Sequence, residues 1–304
     1  MKRNILLLFT FFACITVQGQ TPVRLVDLRS EHLDRPIGLD NPVPRLSWRM
    51  EDGRQGAVQT SWRIVVDEDS LNVVNGCGRM WDSGKNDSRN LLVAYAGKKL
   101  QPFTRYYWKV ICSDMEYKET ASPVSYFETG MMGMQHWQGA WIGDGKDIHY
   151  GPAPYFRKEF KTGKKVKSAR AYIAAAGLYE LYINGEKIGD HCLAPLYTRF
   201  DRRNLYVAYD VTSQLQNGDN AIGVLLGNGW YNHQSKAVWD FDRAPWRNRP
   251  AFCLDLRITY TDGSVETIPT DLSWRTASGA ITFNSIYTGE HYDARSEEHT
   301  SELQ

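Results

Sequence analysis

The stretch GNGWYNHQSKAVWDFDRAPWRNRP, residues 227–250, gathers the side chains best suited to meeting a ligand. Trp230, Tyr231, Trp239, Phe241 and Trp246 are interleaved there with Asn228, Asn232, His233, Asp240, Asp242 and Arg243. Aromatic faces accept the apolar C–H surface of a sugar ring, while amides, carboxylates and guanidinium groups hold its hydroxyls. Long loops on a rigid scaffold are where such contacts are usually built. Asn228, Trp230, Tyr231, Asn232, Trp239, Asp240, Asp242 and Trp246 are therefore candidates for carbohydrate binding or for docking another domain. A second reading stays open beside this one: the same aromatics could simply pack the loop down, or pack it against another domain.

Hydrolytic chemistry is harder to find. Asp240 and Asp242 would share one face of a strand, but the carboxylates of a glycosidase must flank the scissile bond and usually come from distant segments. No catalytic assignment is made to them. Asp219 and Asp262 belong to turn sequences, and Glu290 and Asp293 could serve a neighbouring domain. The sequence has no Gly-x-Ser-x-Gly, His-Glu-x-x-His, phosphate-binding glycine loop or Cys-x-x-Cys. The seven His are scattered, so a lone one such as His191 reads as a loop or core residue. Acidic loops could take calcium, but no EF-hand spacing supports it. No cofactor is expected.

The elements that must carry this loop are strands. RLSWRM places Leu46, Trp48 and Met50 on one face; SWRIVVD does the same with Trp62, Ile64 and Val66, and RYYWKVIC with Tyr106, Trp108, Val110 and Cys112. Alternation of large apolar residues marks half-buried antiparallel strands. Turn sequences at Glu51-Asp52-Gly53, Asn75-Gly76, Asp82-Ser83-Gly84 and Leu100-Gln101-Pro102 separate them. Short strands with core Trp predict an immunoglobulin or fibronectin type III-like sandwich over 22–130. Gly130 to Gln138 breaks the alternation and reads as a linker.

Over 138–294 a second set of strands follows, with Leu205, Val207, Tyr209 and Val211 on one face of NLYVAYDVT. Phe252, Leu254, Leu256, Ile258 and Tyr260 share a face in the run ending at Asp262-Gly263. Asn184-Gly185 inside LYELYINGEKIGD accepts the positive φ angles of a type I′ hairpin turn. The prediction is an all-β chain, its second domain a jelly-roll-like β-sandwich.

The 304 residues fit about two domains. Lys and Arg number 36 against 35 Asp and Glu, and the longest basic stretch, Lys161 to Lys167, reads as a solvated loop, so nucleic acid is not an expected partner. Residues 1–20 read as a signal peptide: Lys2 and Arg3 precede the apolar run Ile5 to Phe12, with Val17-Gln18-Gly19 before the cut. An exported protein, periplasmic or secreted, is expected, with lipid anchoring at Cys14 as the minor alternative. No later segment is apolar enough to span a membrane. Cys77, Cys112, Cys192 and Cys253 show no disulfide or metal-ligand spacing, and Cys112 and Cys253 read as buried thiols. The tail RSEEHTSELQ, 295–304, back-translates to AGATCGGAAGAGCACACGTCTGAACTCCAG, a common sequencing-adapter string. It reads as an assembly scar, with the natural sequence expected to run on differently from Ala294 or Arg295.

RLVDLRSEHLDRPIGLDNPVPRLSWRM, MWDSGK, RYYWKV, YFETG and WIG resemble the fibronectin-like opening of bacterial α-L-rhamnosidases, glycoside hydrolase family 78. AAAGLYELYINGEKIGDHCLAPLYTRFDRRNLYVAYDVT, GDNAIGVLLGNGWYN and IYTGEHYDAR resemble the β-sandwich that follows it. The Asn-Gly hairpin is also similar, more weakly, to jelly-roll domains of β-galactosidase-like enzymes. The resemblance spans about residues 22 to 295. It implies an exported enzyme that removes terminal α-L-rhamnose from a rhamnose-containing glycan with inversion. It also implies that the acid and base lie in an (α/α)₆ barrel downstream, a catalytic domain with no counterpart here. The chain is then expected to be inactive alone. A stand-alone carbohydrate-binding protein, and a scaffold whose aromatic loop docks the barrel, are the other two readings.

Overall fold

Alternating burial sets the architecture, and almost all regular structure is strand. The structure, a computed structural model, describes residues 22–234, 236 and 239–296. The leader over 1–20, Cys14 and the tail beyond Ser296 lie outside the described residues. Among the described residues, the first compact unit gathers 22–36, Pro42–Lys99 and Arg105–Phe127; the second takes Ile37–Asn41, Leu100–Thr104 and those from Glu128 to Ser296.

In the first unit, β1 (Arg24–Ser30), β2 (Arg45–Glu51) and β5 (Leu92–Ala94) form one antiparallel sheet. The other is built from β3 (Ser61–Asp67), β4 (Trp81–Asp82), β6 (Arg105–Ser113), β7 (Glu119–Ala121) and β8 (Ser125–Glu128), whose last residue is counted with the second unit. Trp48 of β2 meets Trp62 of β3 edge to face at 6.2 Å between the sheets. Trp62, Ile64 and Val66 stand opposite Cys112, Val110 and Trp108 in the β3–β6 register, so one apolar row answers the other. The sequence predicts that only this face of β3 is buried. Val65 on the other face is buried as well, because the short helix α1 (Ser70–Val74) packs there with Val73 inward. Asp69 caps α1 by accepting from the Leu71 amide at 2.9 Å.

The second unit is a sandwich of two antiparallel sheets. One sheet has the order β12 (Glu186–Lys187), β11 (Leu178–Ile183), β14 (Gly218–Gly227), β9 (Pro154–Thr162), β17 (Arg275–Ser278). The other runs β13 (Tyr206–Asp210), β10 (Val166–Ala176), β15 (Ala251–Tyr260), β16 (Val265–Pro269). A separate hairpin joins β18 (Ile281–Ser285) and β19 (Gly289–Tyr292). Between the sheets, Phe156, Leu181, Ile183, Ile222, Val224 and Leu226 face Ala171, Ile173, Phe252, Leu254 and Leu256. Asn184 and Gly185 take φ of 51° and 83°, the type I′ geometry read from the sequence, with Ile183 paired to Glu186 across the turn.

The outer face of the four-stranded sheet is also covered. Residues 130–138, read from sequence as a linker, are pinned to this unit. The Met131 amide donates to Tyr206 Oη at 3.1 Å, and the Gln138 and Gly139 amides donate to the two oxygens of Asp255 at 2.9 and 2.8 Å. Beneath them Arg170, nearly buried, forms a two-pronged pair with Glu128 at 2.7 and 3.0 Å. Irregular backbone held by scattered side chains has no periodicity, so its packing leaves no sequence pattern.

Asp271 supplies a pH-dependent tie. The Lys158 ammonium at 2.7 Å, helped by the Ser273 hydroxyl, holds its carboxyl down at about 2. Unfolded, an Asp titrates near ~3.9. The folded value is the lower one, so the stabilisation is complete above roughly pH 4 and is lost as pH falls through about 2. Because the carboxylate is nearly half exposed, Asp271→Asn should cost under about 1 kcal/mol at pH 7. Urea unfolding of wild type and variant should converge as the pH is lowered toward 2.

Candidate functional site

The 227–250 loop leaves the end of β14 and returns into β15, both central to the core. Its amides act inward. Asn228 is 2% exposed; its backbone N–H donates to Asn284 Oδ1 at 2.7 Å and its side-chain NH₂ to the Asn284 carbonyl at 2.9 Å. Asn232 donates to Asn228 Oδ1 at 3.0 Å and to the Ile148 carbonyl at 3.1 Å, and accepts from Arg247 at 3.0 Å. Both amides are thus engaged in fixing the loop to the sandwich. At the loop's exit, Arg249 forms a buried pair with Asp144 at 2.7 Å and donates to the Tyr150 carbonyl, also at 2.7 Å.

The aromatics divide into two groups. Trp230 is half-buried in a nest of Tyr197, His233, Phe241 and Tyr287, with ring centroids 5.5–6.1 Å away. Tyr231 meets Phe200 edge to face at 5.2 Å, and Trp246 packs on Phe241 at 5.8 Å. Trp239 differs: it is 82% exposed, with a left-handed φ of 44°, and meets the edge of the cluster at Phe241. Tyr197, Phe200 and Tyr287 join the cluster from outside the loop. They come from distant segments whose only sequence signal is an isolated aromatic.

Asp240 and Asp242 are not on a strand. Asp240 takes φ of 53° and precedes a single 3₁₀ turn, Phe241–Arg243, so the two acids do not share a strand face. Buried Asp242 Oδ1, His233 Nε2 and Trp246 Nε1 find no hydrogen-bond partner among the described residues. Burial, with the Arg247 charge adding to it, pulls the His233 imidazole below its ordinary value, so the ring is neutral near pH 7. Among the described residues no three His, Cys, Asp or Glu side chains gather as metal ligands would. Cys112 and Cys253 are buried free thiols, each pushed up to about 12 by burial. Cys77 and Cys192 are exposed and also unpaired.

Residues 25–133 match the family described as Rha78A-like, N-terminal immunoglobulin domain, and residues 164–302 match the alpha-L-rhamnosidase N-terminal domain. The chain carries two N-terminal domains of the alpha-L-rhamnosidase family. An alpha-L-rhamnosidase of Formosa agariphila is 33% identical, with 97% of this chain aligned to 34% of the relative. The structure of alpha-L-rhamnosidase from Dictyoglumus thermophilum superposes with a TM-score of 0.83 at 38% identity, over 90% of this chain and 32% of that one. The alfa-L-rhamnosidase of Aspergillus terreus gives 0.80 at 29% identity, over 91% and 32%. The chain spans about a third of the length of the rhamnosidases it matches. The two sandwiches therefore follow one another in the order of this family's N-terminal domains.

Proposed function

We propose that this chain is the non-catalytic opening of an exported, inverting α-L-rhamnosidase that removes terminal rhamnose from a glycan. The observation that carries the reading is the ordered match to two N-terminal domains of that family, covering about a third of each relative. In this reading the acid and base lie in the relatives' remaining length, and the sandwiches position that catalytic domain. The leader-like sequence over 1–20 supports export to the periplasm or beyond, with Cys14 as a lipid-anchor alternative. The aromatic loop serves mainly as a docking surface, since most of its rings and the amides of Asn228 and Asn232 are already engaged within the fold.

The purified chain is expected to release no phenol from an aryl α-L-rhamnoside and to bind L-rhamnose weakly at most. Turnover that disappears in Asp240→Asn or Asp242→Asn would overturn the reading. One observation favours the alternative of a stand-alone carbohydrate-binding protein: the nearly bare ring of Trp239. Micromolar rhamnose binding that is lost in Trp239→Ala would select it.

A further inference from the structure

The outer face of the five-stranded sheet has a feature that the fold does not require. Along β14 the outward positions are Ala221, Gly223, Leu225 and Gly227, alternating with the core residues Ile222, Val224 and Leu226. Gly223 and Gly227 are not in the left-handed region. A Cβ at Gly223 would approach nothing closer than Tyr182 Cβ at 3.6 Å, and one at Gly227 nothing closer than 3.5 Å, both ordinary contacts. Mid-strand glycine costs roughly 0.5–1 kcal/mol relative to alanine. With neither backbone conformation nor crowding to explain it, such a glycine marks a place where something approaches the backbone closely.

Three adjoining hollows of about 640, 570 and 280 Å³ follow this strand. The largest shares Ala221, Arg157 and Asn184 with the second and Leu225 with the third, so it joins the other two. From Ala221 to Gly227 the floor runs about 20 Å at the usual strand rise. The walls are set by register: Tyr182 and Arg157 flank Gly223, and Glu180 and Tyr155 flank Leu225. Their polar groups are held in place by one another. Arg157 and Arg275 both bind Glu159, at 2.5 and 3.1 Å; across the trough Glu180 accepts from Tyr182 Oη at 2.6 Å and pairs with Lys187.

We propose that this trough is a second binding site, for a saccharide chain of several units lying along β14 with a ring against Tyr182. The lining decides the ligand class. Paired charges of both signs offer fixed donors and acceptors with little net charge, which suits a neutral polyhydroxyl ligand. The core of a protein interface is depleted of charged residues, whereas this trough has charged side chains along both walls. The length of the floor suits an oligosaccharide better than one ring. The site meets the 227–250 loop at Gly227 and Gly229, away from the loop's aromatic cluster, and it does not depend on whether the parent polypeptide is a rhamnosidase.

The test is calorimetric titration of the chain with L-rhamnose, an α-linked rhamnotetraose, cellotetraose, xylotetraose and mannotetraose. At least one tetrasaccharide should bind at least tenfold more tightly than L-rhamnose does. Gly223→Trp, which fills the floor, and Tyr182→Ala should each weaken it tenfold or more, while Gly223→Ala and Trp239→Ala retain it. Circular dichroism checks folding; if Gly223→Trp misfolds, Tyr182→Ala and the amide NMR shifts of Gly223 and Leu225 on titration decide. The proposal is overturned if no tetrasaccharide binds, if binding survives Gly223→Trp and leaves those amides unmoved, or if light scattering shows a dimer that Gly223→Trp dissolves. Failure of the proposed enzymatic function would show separately, as turnover by the chain itself.

Discussion

Arg170→Met should destabilise the second unit by about 3–5 kcal/mol, whereas Arg170→Met combined with Glu128→Leu should recover much of that loss. The guanidinium is 9% exposed and the carboxylate 8%, and they share two charge-assisted hydrogen bonds. Arg170 also donates to the Ala169 carbonyl at 2.9 Å and pairs with Asp210 at 2.8 Å, so its fork is almost fully used. Removing it strips a desolvated carboxylate of its two-pronged cation. Removing both charges leaves shape to be filled by apolar groups, which is often close to neutral. Chemical unfolding of the two single variants and the double variant, read as a thermodynamic cycle, checks this. A double variant as unstable as the sum of the singles would sink it.

Phe252→Ala should be comparably severe, about 3–5 kcal/mol. Phe252 is fully buried and sits where the two sheets of the second unit meet, with Phe156 at 5.0 Å and Trp274 at 5.3 Å, both edge to face. Its backbone exchanges hydrogen bonds with Ile142 at 2.9 and 3.0 Å, which limits how far β15 can relax into the cavity. The midpoint of thermal unfolding should fall by roughly 6–20 °C for a unit of this size. Phe252→Leu, which fills most of the volume, should lose much less, and calorimetry separates the two.

Strand placement was legible because a period of two survives wherever one face is apolar. RYYWKVIC became β6 with the expected face buried, and Asn184-Gly185 became the turn its residue types demand. The other faces of β3 and β10 were not legible. Val65 is buried by α1, and Arg170 and Tyr172 by irregular segments that pack one residue at a time. In the loop, composition identified an aromatic cluster but not its partners. Tyr197, Phe200 and Tyr287 arrive from afar, and Asn228 and Asn232 turn inward because the backbone around them needs donors and acceptors. The trough along β14 left only a faint mark, two glycines in a strand whose significance depends on knowing which way they face.

The strand order of the second unit also governs its making. β9 lies between β14 and β17, and Arg157 pairs with both Gly223 and Arg275. A ribosome delivers β9 long before either neighbour, so both of its edges wait for partners during synthesis. Such waiting edges are what other chains pair with, and distant pairings are slow to form. Until residues beyond 275 emerge, the sheet cannot close, and the nascent chain depends on being shielded from its own copies.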